Sequence, residues 1–272
     1  MIPTAETILT AFRTGSSLPV LAMTNHGTKC VVKWNGTGEG IAANVCDWIA
    51  LQCARHIGIP VPAPHLISVT PDLVRTDADP EINELIMRSI GINLGIEYFE
   101  QTTPFSPSAP VSKSLKQLIY CFDVLMLNMD RTDVNPNMFF INGELYCLDF
   151  AAAMSLKMFF EQSSFSNDTF LPLLRRHPFY LPENEITIPD MTFRRDTIRS
   201  IVESIPNEWL THGRSTREQM TDDIDSLFTL AQVTIKQRLQ QIDTIALETS
   251  EERRLRVEAN LHAFEKVVKR YQ

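Results

Sequence analysis

One stretch of this chain carries an unusual density of chemistry: Asn128-Met129-Asp130-Arg131-Thr132-Asp133-Val134-Asn135-Pro136-Asn137. Behind it run Met138-Phe139-Phe140-Ile141, then Asn142-Gly143, then Glu144-Leu145-Tyr146-Cys147-Leu148, ending at Asp149-Phe150. Asn-Gly between two alternating apolar runs is the strongest short-range sign of a β-hairpin. A hairpin folds back on itself, so it returns Asp149 towards Asn135, with Asp130 on the same loop. Two carboxylates and an amide oxygen are hard donors, the kind magnesium takes while it bridges nucleotide phosphates. Phosphoryl transfer needs a metal, held phosphates and a carboxylate that orients the attacking hydroxyl. An Asp, an Asn five residues on, and a second Asp beyond a hairpin come in the order that chemistry uses. Asp, Asn and Pro also crowd ordinary surface turns, so the loop alone reads either way. Asp149 decides between them. It ends an apolar strand ahead of Phe150 and Ala151 to Ala153, where a carboxylate is costly without a partner or a metal.

Such a site needs elements that place it. Leu18 to Thr24 and Lys29 to Trp34 read as strands about the turn Asn25-His26-Gly27. Lys33 ends the second, in the right order to hold phosphates, although strand-end lysines are commonly solvated. Upstream, Thr14-Gly15-Ser16-Ser17 reads equally as a plain turn or as a loop closing over phosphates through its N–H groups. Val45, Trp48, Ile49 and Cys53 recur at helical spacing, predicting a helix over Ile41 to Ile57 with Gly58 past its end. Strands are expected at His65 to Val69, Leu85 to Arg88 and Gly95 to Glu100. Thr102 to Pro110, with three prolines, reads as a connection. Helices follow at Ser112 to Asn128, Met220 to Ile242 and Glu251 to Arg270. The fold class is therefore α+β, with a strand-rich first part (1–102) and a mainly helical second part (103–272).

Composition narrows the function. The hydrophobic fraction of 44% supplies a core, and no apolar run approaches a membrane span. A net charge of −8 repels phosphate backbones, so nucleic-acid binding is not expected. Arg175, Arg176 and His177 read as a solvated basic face. The cysteines (Cys30, Cys46, Cys53, Cys121, Cys147) are odd in number, show no CxxC, and read as buried reduced thiols of a cytoplasmic protein. No histidine spacing suits zinc. The N-terminus carries no signal-peptide pattern.

With these residues in view, the chain resembles the HipA-like kinases, especially the short single-chain group. The resemblance is carried by Gly27-Thr28-Lys29-Cys30-Val31-Val32-Lys33, Ile57-Gly58-Ile59-Pro60-Val61-Pro62, Gly91-Ile92-Asn93-Leu94-Gly95 and Phe122-Asp123. It continues through Asn128-Met129-Asp130-Arg131, Asn135-Pro136-Asn137, Leu148-Asp149-Phe150 and Ile205-Pro206-Asn207-Glu208-Trp209. It implies a bilobed protein-kinase-like fold using ATP and Mg2+. Asp130 would be the catalytic base and Asn135 and Asp149 the metal ligands. Lys33 would hold the phosphates. Gly15, Ser16 and Ser17 would form the phosphate loop, where related kinases carry inhibitory serine autophosphorylation. Glu97, Tyr98 and Phe99 would lie near the adenine. It further implies a serine/threonine protein substrate, and often a toxin held in check by an inhibitory partner protein. Two departures stand out: the partner of Lys33 is not a glutamate but Asp47, or else Asn44, and Asp149-Phe150 is followed by Ala151 rather than glycine. A phosphoinositide or small-molecule kinase is the second reading, which net charge weakens. A nucleotide-binding pseudokinase is the third, which the intact Lys33, Asp130, Asn135 and Asp149 set weakens.

Overall fold

The computed structural model describes residues 1–13, 17–38, 40–75, 79–156, 171–210 and 216–246. The first part is an antiparallel sheet in the order β1-β2-β3-β5-β4. Its strands are β1 (Ala5–Ala11), β2 (Val20–Thr24), β3 (Lys29–Lys33), β4 (Pro64–Val69) and β5 (Gly91–Glu97). Helix α1 (Gly40–His56) links β3 to β4, and α2 (Pro80–Arg88) links β4 to β5. The sheet curls until Thr4 bridges Ser68, and Ser68 N–H donates to Pro3 O at 2.8 Å. Cys30, Val32, Val20, Ala22 and Ile67 turn into the curl and meet Ile82 and Ile86 of α2. Alternate residues of β3 and β4, Val31 and Leu66, face the main core with α1, as do Leu94 and Ile96 of β5. This is the period-two logic of a strand buried on both faces. Gly95 lets the curl close: a Cβ there would lie 2.4 Å from Cγ1 of Ile67.

The second part begins with β6 (Thr103–Pro104) and α3 (Lys113–Met126), then the hairpin β7 (Met138–Ile141) and β8 (Glu144–Cys147). Strand β6 pairs with β7, making a three-stranded sheet. Asn142 and Gly143 turn the hairpin at φ +50 and +84°, the two positive values that a two-residue type I′ turn requires. Helices α4 (Leu171–Leu174), α5 (Arg195–Glu203), α6 (Asn207–Leu210) and α7 (Arg217–Thr244) follow. Thr216 opens α7 with a capping box to Gln219. Arg238 of α7 donates to the Val124 and Leu125 carbonyls at 3.2 and 3.1 Å, satisfying the C-terminal end of α3, where a cation is favoured.

The architecture is α+β and bilobed, as expected, but α4, α5 and α6 were not expected from the sequence, β5 starts four residues before the strand expected at Gly95, and three further elements differ. Leu85 to Arg88 is not a strand but the end of α2. Asp79 caps that helix by accepting the Glu81 N–H, and Pro80 starts it. Strand β1 was not legible, because its residues are mostly exposed and show no apolar alternation. Strand β6 lies inside the proline-rich connection. The helix expected at Glu251 to Arg270 falls outside the described residues.

Candidate active site

Lys33 stands between two carboxylates. Its Nζ is 2.5 Å from Oδ2 of Asp47 and 2.9 Å from Oδ1 of Asp149. Asp47, fully buried on α1, also accepts the Phe150 N–H at 2.8 Å through its other oxygen. One buried acid thus ties the lysine strand to the segment carrying Asp149. Asn44, the alternative partner, instead donates to the Lys33 carbonyl at 3.1 Å and to Asn35 Oδ1 at 2.7 Å. Burial opposes the charge on Lys33, but Asp149 and Asp47 outweigh it and hold its pKa up. The two acids move apart. Burial pushes Asp47 up, against the pull of Lys33. Asp149 is pushed the same way by burial, yet it ends below the usual carboxylate range because Lys33 overcomes that push. Asp149 is also at φ +57°, a region a non-glycine residue enters at a cost and mostly at functional sites.

The second part of the site is the Asp130 loop. Asp130 is exposed, and its Oδ2 accepts from Asn135 Nδ2 at 2.9 Å and Asn137 Nδ2 at 3.1 Å. Asn135 Nδ2 also reaches the Asp130 carbonyl at 3.3 Å, which turns its oxygen, a hard donor, away from Asp130. The loop is joined to the Asp149 segment where Leu148 N–H donates to Asn137 O at 3.0 Å.

What holds this loop is a buried charge cluster. Arg131 and Asp123 have fully buried side chains, with Arg131 Nε 2.6 Å from Asp123 Oδ2. One guanidinium nitrogen reaches the carbonyls of Pro136, Asn137 and Leu148 at 3.2, 2.6 and 3.3 Å, and the group lies 4.7 Å from the Phe150 ring centre. Arg131 therefore binds both sides of the hairpin at its base. Asn128 Nδ2 donates to Asp123 Oδ1 at 2.8 Å, and His177 Nε2 lies 3.0 Å from Asp123 Oδ2. Leu127, at φ +51°, turns the chain out of α3 into the loop.

The solvated-face expectation for 175–177 is corrected. His177 is buried against Asp123, Arg176 pairs with Asp133 at 2.6 Å, and Arg175 lies 3.6 Å over the Tyr180 ring. Sequence reasoning missed His177 and Asn137 as supports, since their partners are distant or belong to a loop read only for Asp130 and Asn135.

The remaining expected residues divide. Gly15 and Ser16 lie outside the described residues. Ser17 is half-buried beside Leu18. Leu18 is at φ +41°, and its carbonyl accepts the indole N–H of Trp34 at 2.9 Å, while Phe12 N–H donates to Pro19 O at 2.8 Å. The base of that loop is thus closed, and anchored to the residue after Lys33. Glu97 turns its carboxylate to the Ala63 N–H at 3.0 Å. The Phe99 ring packs on Tyr146 and Phe139, with ring centres 5.4 and 6.1 Å away. These side chains fasten the connection to the first lobe and to the β7–β8 hairpin.

Residues 5–241 match the family described as HipA-like kinase. No curated protein matches the sequence. Among solved structures, the Helicobacter pylori proinflammatory kinase CtkA aligns at 11% identity and a TM-score of 0.48, covering 89% of this chain and 97% of that one. The family match takes in every candidate site residue from Gly15 to Asp149, and the chain belongs to the HipA-like kinase family.

Proposed function

We propose that this kinase is an ATP- and Mg2+-dependent serine/threonine protein kinase. Residues 1–102 serve as its nucleotide-binding lobe and 103–272 as its catalytic lobe. The observation that carries the reading is Lys33 held between Asp47 and Asp149, with the Asp149 segment joined through Leu148 and Arg131 to a loop on which Asn135 and Asn137 orient Asp130. Asp149 and the oxygen of Asn135 suit a magnesium ion, since both are hard donors and Asp149 is kept ionised by Lys33. Bound there, the metal would neutralise charge on the phosphates during transfer. Lys33 would hold the α- and β-phosphates, backbone groups of Glu97, Tyr98 and Phe99 would meet the adenine, and Gly15, Ser16 and Ser17 would cover the phosphates. Asp130 Oδ1 would receive the acceptor hydroxyl's hydrogen bond and orient its oxygen towards the γ-phosphorus, the other carboxylate oxygen being fixed by the two amides.

Incubation with γ-labelled ATP and magnesium, with and without protein substrate, tests this. Label should appear on serine or threonine and disappear in Asp130→Asn; label on lipid vesicles but on no protein would overturn the protein-kinase reading. Family resemblance also brings in the toxin role with its inhibitory partner. Overproduction of the chain should then arrest growth, and Asp130→Asn should relieve the arrest.

A further inference from the structure

A short piece of the second lobe grips the elements that carry Lys33 and Asp47. Glu208 Oε2 accepts the Ile92 N–H at 3.1 Å, and the Trp209 indole donates to the Ile92 carbonyl at 2.7 Å. Both backbone polar groups of one β5 residue are thus taken by α6. Gly91, at φ +117°, makes room, since a Cβ there would lie 3.2 Å from Glu208 Oε2. The same carbonyl accepts from Asn35 Nδ2 at 2.6 Å, and Asn35 leads through Asn44 to the Lys33 carbonyl. From the other side, Trp48, the neighbour of Asp47, donates its indole N–H to Ser204 Oγ at 2.9 Å and meets the Trp209 ring edge-on at 6.1 Å. Arg217 fixes the grip from below through the Ile205 carbonyl at 2.6 Å and Asn207 Oδ1 at 2.7 Å. The contacts form a ring, from α1 to Ser204 and Trp209, to Ile92, to Asn35 and Asn44, and back to α1, with the Lys33–Asp47 pair beside it.

We propose that residues 204–209 are a strap that fixes α1 against β3 and β5, which makes Glu208 and Trp209 positioning residues for Lys33. The proposal rests on the reading of Lys33 as the phosphate-holding residue. An aspartate is one methylene shorter than a glutamate, so its pair with Lys33 tolerates little drift of α1. The strap supplies that constraint from within the chain, and the pair stands preformed rather than waiting on an activator that moves the helix.

The test compares Trp209→Phe, which keeps the ring and removes the N–H, with Glu208→Ala, Glu208→Gln and, as control, Lys33→Ala. Hydrogen exchange across residues 44–51 is read together with KM for ATP, kcat and Tm. Trp209→Phe and Glu208→Ala should speed exchange in α1 and raise the ATP KM up to about tenfold, the size of one net hydrogen bond, with kcat within about threefold. Glu208→Gln keeps an acceptor oxygen and should restore the parent values. Unchanged α1 exchange in Trp209→Phe, faster exchange spread evenly over the chain, or a loosened α1 with an unchanged ATP KM would each overturn the strap. If Lys33→Ala leaves ATP binding intact, the reading of Lys33 fails instead, and α1 exchange alone then judges the strap.

Discussion

Asn137 shows how much one residue of the loop is asked to do. It sits at φ +47°, gives its carbonyl to Arg131, and gives its amide to Asp130. Asn137→Gly keeps the backbone conformation and Asn137→Ala strains it, while both remove the amide. We expect kcat to fall in both with little change in the ATP KM, and the urea midpoint to fall further in Asn137→Ala. Asp130→Asn should leave nucleotide binding in place and lower turnover by about 10²–10⁴-fold, the usual range for a positioned acid–base group. Asp149→Asn should instead weaken the magnesium-dependent part of the ATP-induced Tm rise, since it removes the negative charge of the proposed metal ligand and of a partner of Lys33. At this scale the sequence made the chemistry legible and the scaffolding illegible. Lys33, Asp130, Asn135 and Asp149 stand out by type and order. Asp123, Arg131 and His177 meet only in three dimensions, and a basic triplet such as Arg175-Arg176-His177 looks the same in sequence whether it is solvated or half buried.

At the scale of elements, the Arg131–Asp123–His177 cluster joins α3, the loop and the segment after α4. Removing one member of a buried ion pair strands its partner's charge and typically costs about 3–5 kcal/mol. Arg131→Met should show a loss of that size in urea unfolding, and Asp123→Leu in the same chain should recover part of it. Acid should act through the same cluster. Burial lowers the pKa of His177 against the opposing pull of Asp123, so the unfolded chain takes up that proton first, near the ordinary value of about 6.5. Burial would raise Asp123, but Arg131 overrides it and holds the carboxyl down. Stability from His177 is therefore full above about pH 6.5 and is lost as pH falls below it. Stability from Asp123 is full above about pH 4 and is lost on further acidification. A urea midpoint flat between about pH 7 and 8, below the range where unfolded thiols ionise, and falling in two stages on acidification checks this, and His177→Gln should erase the upper stage. Most elements were readable from periodicity and turn residues. The exceptions have physical causes: β1 lacks an apolar alternation, β6 is two residues long, and the short apolar run Leu85-Ile86-Met87 suits a helix as well as a strand until its cap is considered.

For the whole molecule, all five cysteines are buried, and burial raises the thiol pKa of Cys30 to about 11 and of Cys121 and Cys147 to about 12. A thiol reagent should label none of them at neutral pH in the folded chain and all of them in denaturant, since the thiolate is the reactive form. Fractional labelling in native buffer would contradict this packing. Among the described residues no helix is long and apolar enough to cross a membrane.

The grip of Glu208 and Trp209 on Ile92 and Trp48 also sets an order in time. On the ribosome, Lys33, Asp47, Asp130 and Asp149 are all made before the residues that brace α1, and 60 further residues (149 to 209) separate the last of these from Trp209. At about 5–20 residues per second that is a delay of about 3–12 s. A nascent chain halted in that interval carries each group of the site but not the brace for α1, so prematurely terminated products of this gene should be poor phosphotransferases even where their first lobe has folded.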